Sequence, residues 1–349
     1  MKIKRIVGAA VIAALGLATL TACDPPYPPD LVETIYEQNP VCDSGVTRVL
    51  ADAKLSGLVA NFNDTMTVSC SELSLAAALD NPNMFLTVDE ELVHRDNVFA
   101  ATPLFADAGV AAITFADGSS LNLGLETLFK ILAGEITVWN DPVIQKENKN
   151  SVIPETAIIV NPVADEASLK SLVNWAKLCG IKVSDNLLTR GEKSPIIDPF
   201  SEGEGSISII PLSEALAAGV IPAAIKVSSK HLKATVAPSD TTVFAAASQF
   251  KSKVVNGALT LELDPTISPE LPKGADAADV PYQAVFFGWQ VFVGKDNLKD
   301  RAVGRFLLRM DEQGTLPTAS LIGLPSKIRQ ASTKLISVGL KLPKVTIKK

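Results

Sequence analysis

The sequence predicts an α/β protein, because segments with the pattern of buried strands alternate with segments of helical periodicity. The strongest strand signal is the nearly continuous apolar run at residues 284–293, which is typical of a central strand buried on both faces. The strongest helical signal is at 126–133, where Leu128, Phe129 and Leu132 recur at helical spacing. A chain of 349 residues is long enough for two domains of ordinary size.

The remaining elements follow from the same two patterns. Strands are predicted at 110–114, at 157–160, where the strand is expected to be buried, and at 205–210; helices are predicted at 167–178, 212–218 and 301–310. A loop is expected at 117–120. The stretch 264–280, rich in Pro, Ala and Asp, is predicted to be an internal linker.

The run at 134–144 has a specific local interpretation. Gly134 follows the helix at 126–133 and is placed where a helix ends in a left-handed residue. Trp139 is a large apolar anchor in the short connection that comes next. Asn140 or Asp141 can cap a new helix, with Pro142 at its first position. The run is therefore predicted to be a helix–connector–helix segment.

The N-terminus has the features of a lipoprotein signal peptide. Residues 1–22 contain three basic residues, an apolar stretch too short to span a bilayer comfortably, and a lipobox-like end before Cys23. Cys23 is the predicted lipidation site, and the proline-rich residues 23–30 suit an extended tether. The alternative is an ordinary secretory signal in which Cys23 is incidental. No other apolar run is long enough to span a membrane, so the lipid is the only predicted anchor.

The charge of the mature chain excludes one class of partner. Loss of residues 1–22 removes three of the 32 basic residues and leaves 29 against 38 acidic residues, a formal charge of −9. Such a charge argues against binding nucleic acid or another polyanion. A small anion remains compatible with it, because local amides and one basic side chain can outweigh a distant negative field.

The cysteines and histidines do not predict a metal site. Cys42 and Cys70 lie in the same N-terminal segment and are the favoured disulfide pair in an oxidising compartment. Cys179 is predicted to be a buried free thiol. The two histidines, His94 and His231, are far apart and show no clustered Cys/His spacing. We therefore expect no metal and no cofactor.

Several runs, in the same order, resemble the phosphate-binding proteins of bacterial phosphate ABC importers (PstS-like). The run at 134–144, GEITVWNDPVI, is similar to that family's G-K/E-I-T-x-W-N-D-P-x-I signature. Similar pieces cover about residues 75–335 and include DEEL at 89–92, TPL at 102–104, GSI at 205–207, APS at 237–239, RFL at 305–307 and GLP at 323–325.

The resemblance implies a type II periplasmic-binding-protein fold, with two α/β lobes joined by two crossover strands. One lobe would contain residues 31–108 plus 281–349, and the other residues 109–280. It also implies a small anion, phosphate in that family, as ligand and an ABC permease as partner. The protein would be anchored by its lipid at the extracytoplasmic face of the cell membrane.

The family's ligand segments are altered in this chain. The family carries an R-x-D-x-S-G-T run between a strand and a helix, but residues 161–167 contain no arginine and no Ser-Gly pair. Only Asp165 and Ser168 remain as candidate ligands there, and Glu166 lies where an anion is expected. Before DEEL, Asn83 and Met84 stand in place of a Ser-Asp pair, so Asn83 is a third candidate.

Three functions remain open from the residues. The protein handles phosphate with rearranged ligands, or binds a different solute in the same cleft, or keeps the fold as a scaffold that binds a protein partner. An enzyme is not expected, because no Gly-x-Ser-x-Gly elbow is present and neither histidine stands near a nucleophile in sequence. Asp107 and Asp117 flank a predicted strand and are interpreted as solvated loop residues.

Overall fold

A single 17-residue strand, β4 (Val98–Thr114), pairs with three other strands and organises the part of the chain described by the computed structural model. The described residues are 45–65, 72–76, 81–115, 119–161, 166–184, 187, 205–228, 233–264, 280–309 and 320–340. All of them belong to one unit, Cys42–Leu340. The signal peptide, the tether, Cys23, Cys42 and Cys70 lie outside the described residues.

The strands are numbered in chain order. They are β1 (Val46–Ala51), β2 (Glu72–Leu75), β3 (Met84–Thr87), β4, β5 (Asn122–Gly124), β6 (Ile159–Val160), β7 (Ser206–Pro211), β8 (Ala224–Ser228), β9 (Lys233–Val236), β10 (Phe250–Val255), β11 (Ala258–Leu263) and β12 (Val285–Val293).

The helices are numbered in the same way. They are α1 (Ser56–Thr65), α2 (Leu125–Leu132), α3 (Pro142–Glu147), α4 (Glu166–Leu178), α5 (Leu212–Ala217), α6 (Asp240–Ala247), α7 (Leu298–Leu307) and α8 (Ser326–Ile336). Two 3-10 turns, Ala53–Leu55 and Glu90–His94, precede α1 and β4.

Two sheets are present in the described part of the chain. The larger has the order β10-β11-β4-β12-β3-β1-β2, with β7 beside the second half of β4 and β6 beside β7. Strands β1, β2 and β3 run parallel, and β12 is antiparallel to both of its neighbours. The smaller sheet has the order β5-β8-β9. Helices alternate with these strands, so the predicted α/β class is confirmed.

Strand β4 changes partner at Gly109. Residues before it pair with β12 as far as Ala108, and residues from Gly109 onward pair with β7. Helix α4 crosses the strand at this point, and a Cβ atom on Gly109 would lie 2.1 Å from the carbonyl oxygen of Ser168. The Tyr282 hydroxyl donates to the Gly109 carbonyl at 3.0 Å. Gly109 is therefore required for the close approach of α4 to the strand.

Proline is accommodated inside β4 by a β-bulge. Gly288 of β12 faces Phe105, while the next residue, Trp289, faces Pro103, so Leu104 is an extra residue on β4. Proline cannot donate a ladder hydrogen bond and is tolerated in sheets mainly at edges and bulges. The bulge explains how a continuous strand can include the Thr-Pro-Leu run.

The connector at 134–144 has the predicted structure. Gly134 is left-handed, with φ +73°, and ends the turn after α2. The Asp141 side chain accepts from the Val143 backbone N–H at 2.8 Å and caps α3, with Pro142 at the first helical position. Trp139 is fully buried, and its indole Nε1 donates to the Gly205 carbonyl at 2.7 Å. The tryptophan thus ties this connector to the start of β7.

The structure differs from the sequence expectations in several elements. The strand predicted at 110–114 is the second half of a longer strand, and α7 begins at Leu298 rather than 301. The segment 157–160 was expected to be buried, but Ile159 and Val160 are each 40% exposed. The described part of the sheet pairs them only with β7, so that burial expectation is wrong. The linker residues 265–279 lie outside the described residues.

Cys179 is only partly buried. It lies just after α4 as a free thiol and packs against the core. Burial raises the pKa of the Cys179 thiol. The expectation of a free thiol is confirmed, but the thiol is less enclosed than its apolar neighbours in sequence suggested.

Candidate functional site

A cleft of about 380 Å³ lies beyond the carboxyl ends of β1, β3 and β7. The crevice at the carboxyl ends of strands is where open α/β sheets usually bind ligands. Its described lining residues come from the turn after β1, α1, the end of β3, β4, β7, α5, β12 and the segment before α8. They are Lys54, Leu55, Gly57, Leu58, Val88, Phe105, Asp107, Pro211, Ser213, Glu214, Ala217, Phe286 and Leu321.

The turn that carries Lys54 is held by Asp52. The Asp52 carboxylate accepts from the Val88 backbone N–H at 2.9 Å, which joins the ends of β1 and β3. The Asp52 carbonyl accepts from Leu55 N at 2.7 Å, and the Ser56 hydroxyl donates to the Ala53 carbonyl at 2.7 Å. These local bonds close the 3-10 turn and place the Lys54 side chain at the cleft.

Asp107 is the buried carboxylate of the cleft, with only 2% of its surface exposed. Its Oδ1 accepts from the backbone N–H groups of Ala108 at 2.7 Å and of Ser213 at 3.2 Å. Its Oδ2 accepts from the Ser213 hydroxyl at 2.5 Å. Burial raises the pKa of Asp107 to about 7; hydrogen bonds from Ser213 and Ala108 and the charge of Lys54 act in the opposite direction.

Lys54 and Glu214 face each other across the cleft. The Lys54 Nζ lies 4.0 Å from the Glu214 Oε1, and the two side chains are 27% and 45% exposed. An ion pair this long and this accessible to water contributes little to stability. Both charged groups line the cleft, where a bound solute could reach them.

The other walls of the cleft are largely apolar. Leu55, Leu58 and Phe105 are each at most 4% exposed and form part of the hydrophobic core. Leu321 is held next to β4 by the bridge between Ala106 and Ile322. A cavity with apolar walls and a few convergent polar groups is the usual form of a small-molecule site.

The residues predicted from sequence lie elsewhere. Asn83 is at the amino end of β3, opposite the cleft edge, where its Oδ1 accepts from Arg48 N at 3.1 Å. Ser168 is fully buried in the first turn of α4, against Gly109. Asp165 lies outside the described residues. Neither Asn83 nor Ser168 lines the cleft, so the structure does not bring them together there.

The interpretation of Asp107 as a solvated loop residue is wrong, because Asp107 lies inside β4 and is buried. Its signal in the sequence was an isolated acid in the apolar stretch 98–114. Asp117 lies outside the described residues. Lys54, Ser213 and Glu214 carried no motif, and sequence reasoning missed them.

The described residues offer no metal centre, since no group of three His, Cys, Asp or Glu side chains is arranged to hold an ion. Among the cleft residues, the titratable groups are Lys54, Asp107 and Glu214. Across the described part of the chain, none of the helices combines the length and the apolar character needed to cross a membrane.

Three solved structures share this architecture. They are a human phosphate binding apolipoprotein (12% identity, TM-score 0.53, covering 83% of this chain and 93% of that chain), the high affinity periplasmic phosphate-binding protein PfluDING, bound with phosphate (11%, 0.52, 82% and 92%), and a DING protein (11%, 0.51, 83% and 93%). The chain has the fold of the phosphate-binding proteins. This confirms the fold expected from the run at 134–144 and its companion pieces.

The likeness is one of structure. No protein-family model matches the chain, and no curated protein sequence matches it. At 11–12% identity the likeness establishes the fold alone, and the ligand must be argued from the cleft itself.

Proposed function

We propose that the chain is an extracytoplasmic solute-binding lipoprotein that delivers a small solute to an ABC permease. The observation that carries the proposal is the cleft at the carboxyl ends of β1, β3 and β7, in a fold shared with periplasmic phosphate-binding proteins. A binding protein needs a cleft with convergent polar groups on a rigid frame, and the cleft offers Lys54, Asp107 and Glu214 on such elements.

The proposed lobes are residues 31–108 plus 281–349 and residues 109–280, closing on the solute by hinge motion. The change of partner along β4 between Ala108 and Gly109 supports this boundary. The hairpin of β10 and β11 is an exception, because Ala258 pairs with Ala101 in the first half of β4. We assign that hairpin to the first lobe.

The proposed anchor is a lipid on Cys23, followed by the tether at 23–30. Replacing Cys23 with Ser should move the protein from the membrane fraction of its producing cells to the medium or periplasm. Cys179→Ser is the matched control and should leave the membrane fraction unchanged, since Cys179 lies in the folded domain. A Cys23→Ser protein that stays in the membrane fraction would contradict the proposed anchor.

Phosphate or another small anion is the first candidate ligand, from the sequence resemblance, and Asn83, Asp165 and Ser168 stay predictions for its contacts. A different solute is the second candidate. Two observations favour it: the Glu214 carboxylate in the cleft, and the apolar walls around it. A carboxylate close to the solute repels phosphate.

Thermal unfolding of residues 24–349 tests the proposal. A ligand at a thousandfold excess over its Kd stabilises the folded state by about 4 kcal/mol and raises the midpoint by several degrees. A rise with phosphate supports the phosphate-handling form, and a rise with another small solute supports the second candidate. A flat response to every solute, with binding of a protein partner, would favour the scaffold function and contradict solute binding.

A further inference from the structure

Lys54 and Glu214 place a positive and a negative charge next to each other in the cleft. Lys54 Nζ and Glu214 Oε1 are 4.0 Å apart, and both side chains line the same cavity. A phosphate ion bound to Lys54 would therefore lie next to the Glu214 carboxylate. No arginine is among the described lining residues, and the Ser213 hydroxyl already donates to Asp107. The described lining thus lacks the several side-chain donors that a multivalent oxyanion requires.

A solute with both charges matches this pair. The ammonium and carboxylate groups of an α-amino acid are attached to one carbon atom, so both are close enough to face Lys54 and Glu214 together. Its carboxylate would interact with Lys54 and its ammonium with Glu214, and the two pairs would align head to tail. The net charge of such a solute is zero, so it adds no net charge to the cleft.

The walls specify the remainder of the solute. Most of the described lining residues are apolar: Leu55, Leu58, Val88, Phe105, Pro211, Ala217, Phe286 and Leu321. Burial of an apolar group against them is favourable in proportion to its area. The cleft volume of about 380 Å³ is at the small end of the range for ligand pockets. The walls therefore fit a compact aliphatic group better than a sugar or an inorganic ion.

We propose that the cleft binds a small zwitterion with an apolar side chain, such as an aliphatic amino acid, through Lys54 and Glu214. The inference rests on the proposed solute-binding function and names its substrate class. Asp107 holds the rear of the cleft by fixing α5, which carries Glu214. Both carboxylate oxygens of Asp107 already accept hydrogen bonds from Ala108 and Ser213, so Glu214 is the principal partner of the ammonium group.

The experiment uses thermal unfolding of residues 24–349 with leucine, glycine, 3-methylbutylamine, 4-methylpentanoate and inorganic phosphate. Leucine should raise the midpoint by several degrees at saturation. Glycine lacks the side chain, the amine lacks the carboxylate and the acid lacks the ammonium, so each should give a clearly smaller shift. Equal shifts with leucine and either single-charge analogue would overturn the proposal.

Two substitutions locate the site. Glu214→Gln and Lys54→Met should each weaken leucine binding by about tenfold or more, measured by calorimetric titration. The controls are Glu126→Gln and Lys170→Met, which change the same groups in surface ion pairs away from the cleft and should leave the Kd unchanged. Unchanged leucine affinity in both cleft variants would overturn the site assignment.

The outcomes separate this inference from the proposed function. A shift with phosphate and none with leucine would overturn the zwitterion class but support solute binding. No shift with any of the five compounds would count against both. A shift with leucine that is lost in Glu214→Gln and Lys54→Met, but kept in the two controls, would support both the zwitterion class and solute binding.

Discussion

The Ser213 hydroxyl donates a 2.5 Å hydrogen bond to Asp107 Oδ2, and this contact joins the first turn of α5 to the middle of β4. The Ser213 backbone N–H donates to the other carboxylate oxygen. Pro211 is the N-cap residue of α5 and makes no side-chain cap bond. Asp107 therefore takes over the capping role from a position 106 residues earlier in the chain.

The buried carboxylate predicts an unusual pH dependence. Burial raises the pKa of Asp107 from 3.8 to about 7, so between these pH values the folded chain keeps a proton that the unfolded chain releases. The contribution of Asp107 to the free energy of unfolding should therefore fall as pH rises from about 4 to 7, by at most about 4 kcal/mol, and stay low above that. Urea midpoints at pH 4.5, 6 and 8 measure it.

Asp107→Asn separates this contribution from other titrations. The amide keeps the shape and can still accept from the backbone N–H groups, but it does not titrate. As pH rises, the wild type should lose stability relative to Asp107→Asn, so the unfolding free energy of the variant minus that of the wild type should increase. Parallel curves for the two proteins would show that Asp107 has no raised pKa.

Gly109→Ala should destabilise the fold strongly. Its Cβ would lie 2.1 Å from the backbone oxygen of Ser168 and 2.6 Å from the Ser171 hydroxyl, so α4 must move away from β4. We expect a loss of about 3 kcal/mol, measured by denaturant unfolding. Gly57→Ala is the matched control, because no atom lies within 4 Å of its new Cβ and alanine favours helix. Equal midpoints for the two variants would contradict the close packing at Gly109.

Trp139→Phe tests the connector between α2 and α3. The change removes the indole bond to the Gly205 carbonyl and part of a fully buried side chain that packs edge-on against Phe115. A loss of about 2–3 kcal/mol in unfolding free energy is expected. Val152→Ala is the control, since Val152 is 98% exposed and its truncation should change stability by less than about 0.5 kcal/mol. A Trp139→Phe midpoint like that of Val152→Ala would contradict the anchoring role.

Local features were predictable from the sequence because near neighbours determine them. Gly134, Trp139 and the Asp141–Pro142 cap each depend on a few adjacent residues, and the structure confirms all three. The strand at 285–293 was equally clear from its continuous apolar composition. By contrast, the burial of residues 159–160 depends on the position of the strand in the sheet. The composition of the strand does not determine that position.

The cleft could not be assembled from the sequence in the same way. Lys54 follows β1, Asp107 lies within β4, and Glu214 is on α5, so only the strand order brings them together. The resemblance to the family's ligand segments predicts Asn83, Asp165 and Ser168 instead. The lone aspartate in the apolar stretch 98–114 was the one available signal, and its interpretation as a loop residue missed it.

Hydrogen–deuterium exchange of residues 24–349, with and without saturating leucine, tests directly whether the solute lies between Lys54 and Glu214. Leucine should slow the exchange of backbone amides mainly in two segments, 53–58 around Lys54 and 211–217 around Glu214. These segments carry the Lys54 and Glu214 charges of the cleft. Protection in both segments is the predicted result. Protection confined to other parts of the chain, or none at saturating leucine, would contradict the placement of the solute between Lys54 and Glu214.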